Sequence, residues 1–380
     1  MRLLILSCLA ALAMGFCAAA AGQNGDSLIY VGTYTQHSGK GIYAWKFQRS
    51  PARLTALGIE ADTSNPSFLV MHPNRRYLYA VNEDSLFQGQ PSGAVSAYAI
   101  DPTNGRLTLL SQVATRSPGP CHLALDRTAK WLFTANYAGG SVTGFPVEPD
   151  GSLGENSVFI QHRGSSVDHD RQASAHPHEI VISPDNRFVL VPDLGLDEVL
   201  TYRLDAARGT LSPANPPFTK VAPGSGPRHL AFHPNGKLVY LVNELAATVG
   251  VYSYDPERGH LDALLQTVST VPADYLGTKS GAEIAVSPDG KFVYASNRGD
   301  DTIAVFAIDA EKGTLTKIDY LPAGGKTPRF FGLDPTGDFL FAANQDSGSL
   351  VLFRRDASTG KATATDVNVE VPNPVCVVFR

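Results

Sequence analysis

One stretch of sequence recurs six times, and that repetition limits the possible folds more than any other feature. It reads NPSFLVMHPNRRYLYAVNE at 65–83, GPCHLALDRTAKWLFTANY at 119–137 and HPHEIVISPDNRFVLVPDL at 176–194. It returns as GPRHLAFHPNGKLVYLVNE at 226–244, GAEIAVSPDGKFVYASNR at 281–298 and TPRFFGLDPTGDFLFAANQ at 327–345. Each copy is a short apolar run, a turn such as Pro-Asn-Gly or Pro-Asp-Gly, and a β-branched or aromatic run ending on Asn or Asp. Those turn residues supply the positive φ that tight hairpins demand, so each copy predicts a β-hairpin. The closing residues Asn82, Asn136, Asp193, Asn243, Asn297 and Asn344 stand 47–57 residues apart, a period typical of solenoids and propellers.

A second hairpin follows each copy. In the fourth unit TVGVYSYD, PERG and HLDALLQTV read as strand, turn and strand, and the same turn recurs in DPTNGRL, EPDGSL, DAARGTL, DAEKGTL and DASTGKA. Four antiparallel strands per repeat make a propeller blade, and the absence of a 3.6-residue period excludes helical repeats. The C-terminal NPVCVVFR (373–380) matches a first strand that lacks its partners. Those partners stand at the front, as SLIYVGTYT (27–35), GIYAWKF and RLTALGIE. The expected fold is therefore all-β: a seven-bladed β-propeller of four-stranded antiparallel blades. Pairing of the C-terminal strand with the N-terminal strands closes the ring and leaves no unpaired edge. Composition agrees, because 35 Gly, 26 Pro and only 18% charged residues favour short strands and turns over helical bundles. A formal charge of −5 gives no basic footprint, which excludes nucleic acid as a partner.

Residues 1–21, MRLLILSCLAALAMGFCAAAA, combine one basic residue, a leucine-rich stretch and a small-residue site at Ala19-Ala20-Ala21. This predicts a secretory signal peptide, with residues 22–380 as a single exported domain, periplasmic or secreted. An uncleaved anchor is the competing expectation. After cleavage no segment approaches membrane-spanning length, no membrane partner is expected, and a closed ring predicts a monomer. Only Cys121 and Cys376 remain, both in apolar strands, and they read as buried packing rather than a disulfide framework or zinc site.

In such a blade the first strand runs along the central channel and the second returns antiparallel. The start of one and the end of the other therefore share a face of the disc. That places HPH (176–178) beside Asp193, Arg228-His229 beside Asn243-Glu244, Glu283 beside Asn297-Arg298, and Arg329 beside Asn344. Polar residues belong at the start of an innermost strand only if they line a wet channel or a site. Here stand His122, His178, Arg228, His229, Glu283 and Arg329, against Ser67 and Phe68 in the first unit. The ring is expected to form a substrate pocket, and the competing expectation is an ion-pair network that ties the blade tops together. Arg228, Arg298 and Arg329 suit an anionic ligand, while His178, Glu244 and Glu283 suit proton transfer on an ester or lactone. His176 and His178 have the spacing of metal ligands, with Asp193 as a possible third. Pro177 puts His176 in a loop, however, and no metal is expected. The polar connection 161–178 is read either as a lid or as a solvated loop, and 269–283 is a weaker case. GxSxG, the P-loop and GxGxxG before a helix are all absent, so a serine-hydrolase elbow, an NTPase and a nicotinamide or flavin cofactor are unsupported.

Taken in order, GPRHLAFHPNGKLVYLVNEL (226–245), EIAVSPDGKFVYASNRG (283–299), and HEIVISPD (178–185) followed by PDLGLDEV (192–199) resemble a known family. It is that of the seven-bladed propeller lactonases of the bacterial 6-phosphogluconolactonase type, which shares its fold with fungal carboxy-muconate cyclases. The resemblance spans residues 28–380. It implies a metal-free hydrolase, without cofactor, that opens a sugar lactone (an aldono-1,5-lactone) to the free acid. Position by position, it implies catalytic roles for His178, Arg228, Glu244 and Arg298. Either His178 or Glu244 would be the general base and the arginines would stabilise the oxyanion. Glu283 and Arg329 fall where similar proteins keep an acid and an arginine, Arg329 holding a distal anionic group; His122, His176 and His229, by their place at the same mouth, complete the expected substrate-binding set. The leader departs from the cytoplasmic sugar-phosphate reaction and points to an unphosphorylated aldonolactone or another carboxylated lactone. Two rivals have the same residue set: a carboxy-muconate-type cyclase or cycloisomerase, and a non-catalytic propeller binding module.

Overall fold

The computed structural model describes residues 26–36 and 38–380, and the expected leader 1–21 lies outside them. Among these residues all regular structure is β-strand, arranged as seven four-stranded antiparallel sheets and one small two-stranded hairpin. Blade 1 joins Ser27–Thr33, Gly41–Arg49 and Ala52–Asp62 to the C-terminal strand Pro374–Phe379, which is its innermost member. Blades 2 to 7 follow in chain order, with innermost strands Leu69–Met71, Pro120–Leu125, Val181–Ile182, Pro227–Phe232, Gly281–Val286 and Pro328–Leu333. The ring and its closure are as the repeat predicts.

Burial explains the pattern of the sequence. The second strand of each blade is covered on both faces by its neighbours, so it reads as a continuous apolar run: Phe339–Asn344 is buried at every position. The outer strand has one face in water and alternates, as in Ala362–Glu370. The core is accordingly a set of clusters between blades. One cluster packs Tyr240, Val242 and Val251 of blade 5 against Ile284, Val293 and Phe306 of blade 6. Cys121 and Cys376 are free and buried, as expected.

The innermost strands are less regular than the sequence reading implies. In blade 4 the expected strand over 178–182 contracts to Val181–Ile182, preceded by an isolated bridge between Pro177 and Asp193. In blades 3, 5, 6 and 7 the register slips at the first turn of the inner strand, between Pro120 and His122, Pro227 and His229, Gly281 and Ile284, and Pro328 and Phe330. A bulge of this kind breaks the two-residue alternation and re-aims side chains. Consecutive residues such as Arg228 and His229 therefore both reach the channel.

Candidate active site

The bulged strand starts converge on one mouth of the channel. The outer part is a cavity of about 180 Å³ lined by Glu83, Tyr137, Arg171, His178, Glu244, Arg298 and Arg329, with Cys121 in its wall. Beneath it a hollow of about 10 Å³, room for a single water, is lined by Ser67, Phe68, Arg228, His229, Glu283 and Phe330. His178, Glu83, Cys121 and Arg329 border both.

Glu244 organises the outer cavity. Its Oε2 accepts from Arg298 at 2.7 Å and from Arg228 Nε at 3.1 Å, and its Oε1 accepts from Arg171 at 2.6 Å. Burial alone would raise the Glu244 carboxyl, but Arg298 and Arg228, followed by Arg171, outweigh it and bring it down to about 2. Arg228 is fixed further by donating to the Ala282 carbonyl at 2.6 Å. Arg298 is pushed down to about 10 by burial, with Glu244 opposing, and its buried Nε finds no acceptor among the described residues. Arg329 is half-buried over the ring of Tyr34, 5.2 Å from its centroid, and pairs with no carboxylate among the described residues. Glu83 accepts from the Tyr34 hydroxyl at 2.9 Å and from Ser67.

Three imidazoles occupy the waist. The His229 ring lies 5.2 Å from that of His178 and 5.3 Å from that of His122. His122 packs under Phe68, with ring centroids 4.0 Å apart. Burial first, then the neighbouring Arg228, His229 and Arg329, hold His178 well below its ordinary range. It is therefore a neutral imidazole at pH 7 with a lone pair to offer. His229 Nδ1 faces Glu283 at 3.1 Å.

Most of the sequence-predicted residues are thus brought together: His178, Arg228, Glu244, Arg298, His229, Glu283 and Arg329 border the cavities, with His122 one layer behind. His176 is a correction. Its ring stacks on Tyr137 at 4.5 Å and Nδ1 donates to the Tyr137 carbonyl, so it lies behind the wall rather than in the cavity. Asp193 is likewise no candidate ligand. It is fully buried, and its two oxygens hold His162 Nδ1 and the His176 amide, each at 2.7 Å. The repeated Asn and Asp residues secure the loops that feed each inner strand, as Asn297 does by donating to the Thr270 carbonyl at 2.7 Å.

In four of the six repeats the next residue along reaches the site. Glu83 and Tyr137 occupy the same repeat position as Glu244 and Arg298, a signal the sequence contains but the residue-by-residue reading passed over. Arg171 and Glu179 carried no such signal. Arg171 comes from the 161–178 connection, and Glu179 neighbours His178 where alternation would have turned it away. Glu179 lies in the waist near His122 (3.8 Å) and borders the opposite, largely apolar mouth with Leu230 and Ile182.

A sequence profile of the family described as "Lactonase, 7-bladed beta-propeller" matches residues 28–379. A Bacillus subtilis protein named 6-phosphogluconolactonase is 39% identical over 350 residues, covering 92% of this chain and 97% of that protein. A Formosa agariphila protein of the same name is 36% identical, covering 80% of this chain and 85% of its own. The solved structure of a periplasmic gluconolactonase from Pseudomonas aeruginosa superimposes with a TM-score of 0.88 at 37% identity, covering 93% of this chain and 99% of that one.

Proposed function

The chain belongs to the seven-bladed β-propeller lactonase family, and on that premise we propose that its charged mouth hydrolyses the ester bond of a sugar lactone. The observation that carries the proposal is the placement of a neutral, buried His178 beside two arginines locked by one carboxylate. His178 removes a proton from water as the oxygen attacks the lactone carbonyl. Arg228 and Arg298 stabilise the oxyanion that develops. Glu244 holds them in place beforehand, so no reorganisation is needed at the moment of reaction. When the tetrahedral intermediate collapses, the ring oxygen leaves and takes the proton back from His178, and the product is the open hydroxy acid.

Of the two bases the sequence offered, Glu244 is the weaker choice. Three guanidiniums occupy its oxygens and hold its acidity far from neutrality. Its role is positional. Arg329, with no carboxylate partner among the described residues, is free to donate to an oxygen of the bound substrate. The leader over 1–21, together with the periplasmic location named for the P. aeruginosa protein, supports a site of action outside the cytoplasm.

The test is the ring-opening rate of glucono-1,5-lactone and its 6-phosphate, read by proton release against the spontaneous rate. His178→Gln and Arg228→Ala should each cost about 10²–10³ in kcat, the range for a lost base or oxyanion donor. Near-normal turnover in Arg228→Ala would overturn the assignment. Absence of acceleration with either lactone would redirect the search to ring closure of muconate-type dicarboxylates.

A further inference from the structure

The connection from blade 3 to blade 4, residues 162–176, is longer than its counterparts at 115–119, 221–226 and 323–327. It is built as a compact loop rather than a loose one. Both of its ends are fixed on Asp193, whose oxygens take His162 Nδ1 and the His176 amide. Inside it Gln172 is fully buried, donating to the Leu194 carbonyl at 2.8 Å and accepting from the Asp168 amide at 3.1 Å. Asp168 in turn accepts from the amide of Arg171 at 3.1 Å. This scaffold carries Arg171 to the rim of the cavity, where its guanidinium meets Glu244 at 2.6 Å and the Tyr137 hydroxyl at 3.3 Å.

Arg171 differs from the other arginines of the mouth in two ways. Its side chain is 43% exposed, against 3% for Arg228 and 15% for Arg298. Its partner also does not depend on it, because Glu244 keeps Arg228 and Arg298 on its other oxygen when Arg171 swings away. A half-solvated guanidinium on a firm loop, paired with an already neutralised carboxylate, can exchange that partner for an incoming anion at small cost.

We infer that Arg171 is the specificity-determining residue of this site. It recognises an anionic substituent, phosphate or carboxylate, on the lactone and closes over it from the rim of the cavity. The inference rests on the lactonase reading above and names its substrate class. Arg228 and Arg298 act on the carbonyl that every lactone has, whereas Arg171 acts on a group that only charged lactones carry.

The experiment compares kcat/KM for glucono-1,5-lactone, its 6-phosphate and glucaro-1,4-lactone, a carboxylate, in the parent protein, Arg171→Gln and Arg171→Lys. The ratio of anionic to neutral kcat/KM should fall at least tenfold in Arg171→Gln, chiefly through KM, and recover in part in Arg171→Lys. The two anionic substrates show which anion is read. A proportional fall for charged and neutral lactones would make Arg171 a mere support for Glu244, and unchanged kcat/KM for all three would equally overturn the inference. If the parent protein accelerates none of the three, the lactonase reading fails by itself. Calorimetric binding of 6-phosphogluconate then decides for Arg171: a tenfold loss of affinity in Arg171→Gln supports its role, and equal affinity refutes it.

Discussion

Glu283 and His229 meet at 3.1 Å in the waist of the channel, both nearly excluded from solvent. The carboxylate also accepts from the Ile284 amide at 3.0 Å and is faced by Arg228 from blade 5, His122 from blade 3 and Glu179 from blade 4. Burial pushes Glu283 up from 4.5 to about 7, with Arg228 opposing. Between those two values the folded chain holds a proton that the unfolded chain has released. Stability from this group is therefore highest at low pH and is lost as the pH rises towards 7. Glu283→Gln keeps the shape and removes the titration. Its melting temperature relative to the parent should climb as the pH is raised from about 5 to about 8, and a constant difference would show that Glu283 takes up no proton on folding. At this scale the sequence was legible where the repeat register spoke. Glu244 and Arg298 follow the repeated Asn, as do Glu83 and Tyr137, which the same register could have added. Glu179 was hidden because the inner strand of blade 4 is interrupted between the Pro177–Asp193 bridge and Val181, and residue type does not show where a ladder breaks. Arg171 was hidden because nothing in a polar loop tells which side chain turns back.

Between blades the recurring contact is made by the outer turns. Gly151 lies on Tyr77, Gly209 on Trp131, Gly259 on Phe188 and Gly360 on Phe292, each pair joining one blade to the next. Where the residue two further along is a tyrosine, as at Tyr79 and, after the Leu238–Gly313 contact, at Tyr240, its hydroxyl completes the staple. Tyr79 donates its hydroxyl to the Gly151 carbonyl at 3.0 Å, and Tyr240 donates to Gly313 at the same distance. The sequence showed that these turns need a positive φ, but not that the missing side chain is also what lets adjacent blades touch. Gly259 has both requirements, with φ +71° and an added Cβ that would sit 2.3 Å from the fully buried Phe188 ring. Gly259→Ala should cost about 2–4 kcal/mol, from left-handed strain and overpacking together. Tyr240→Phe, which loses one hydrogen bond, should cost about 1 kcal/mol. Urea unfolding of the two variants compares them directly, and equal costs would mean that the turn is not wedged against its neighbour.

The ring as a whole has one seam. Every other blade takes its four strands from one continuous stretch, but blade 1 borrows Pro374–Phe379 from the far end of the chain. That strand pairs Ile29 with Phe379 and Val31 with Val377, and Arg380 donates its amide to the Leu28 carbonyl at 2.9 Å. Its buried Cys376 also meets the Leu69 amide of blade 2, so closure and inter-blade packing are one event. The channel that carries the site exists only while this seam is shut, because Val375 lines the inner hollow beside Arg329 and Phe330. Opening should therefore begin here, by peeling of a single six-residue strand. A chain joined from Arg380 to Ser27 by a short Gly-Ser bridge, and opened instead in the exposed turn between Glu311 and Lys312, keeps every strand pair but has a covalent seam. It should unfold at least about tenfold more slowly than the parent at equal denaturant, since the added link opposes a step on the unfolding limb. Deleting 374–380 should abolish the cooperative transition and the lactonase activity together. An unchanged unfolding rate in the joined chain would place the first break between two other blades, and the turn contacts at Gly151, Gly209, Gly259 and Gly360 would be the next to test.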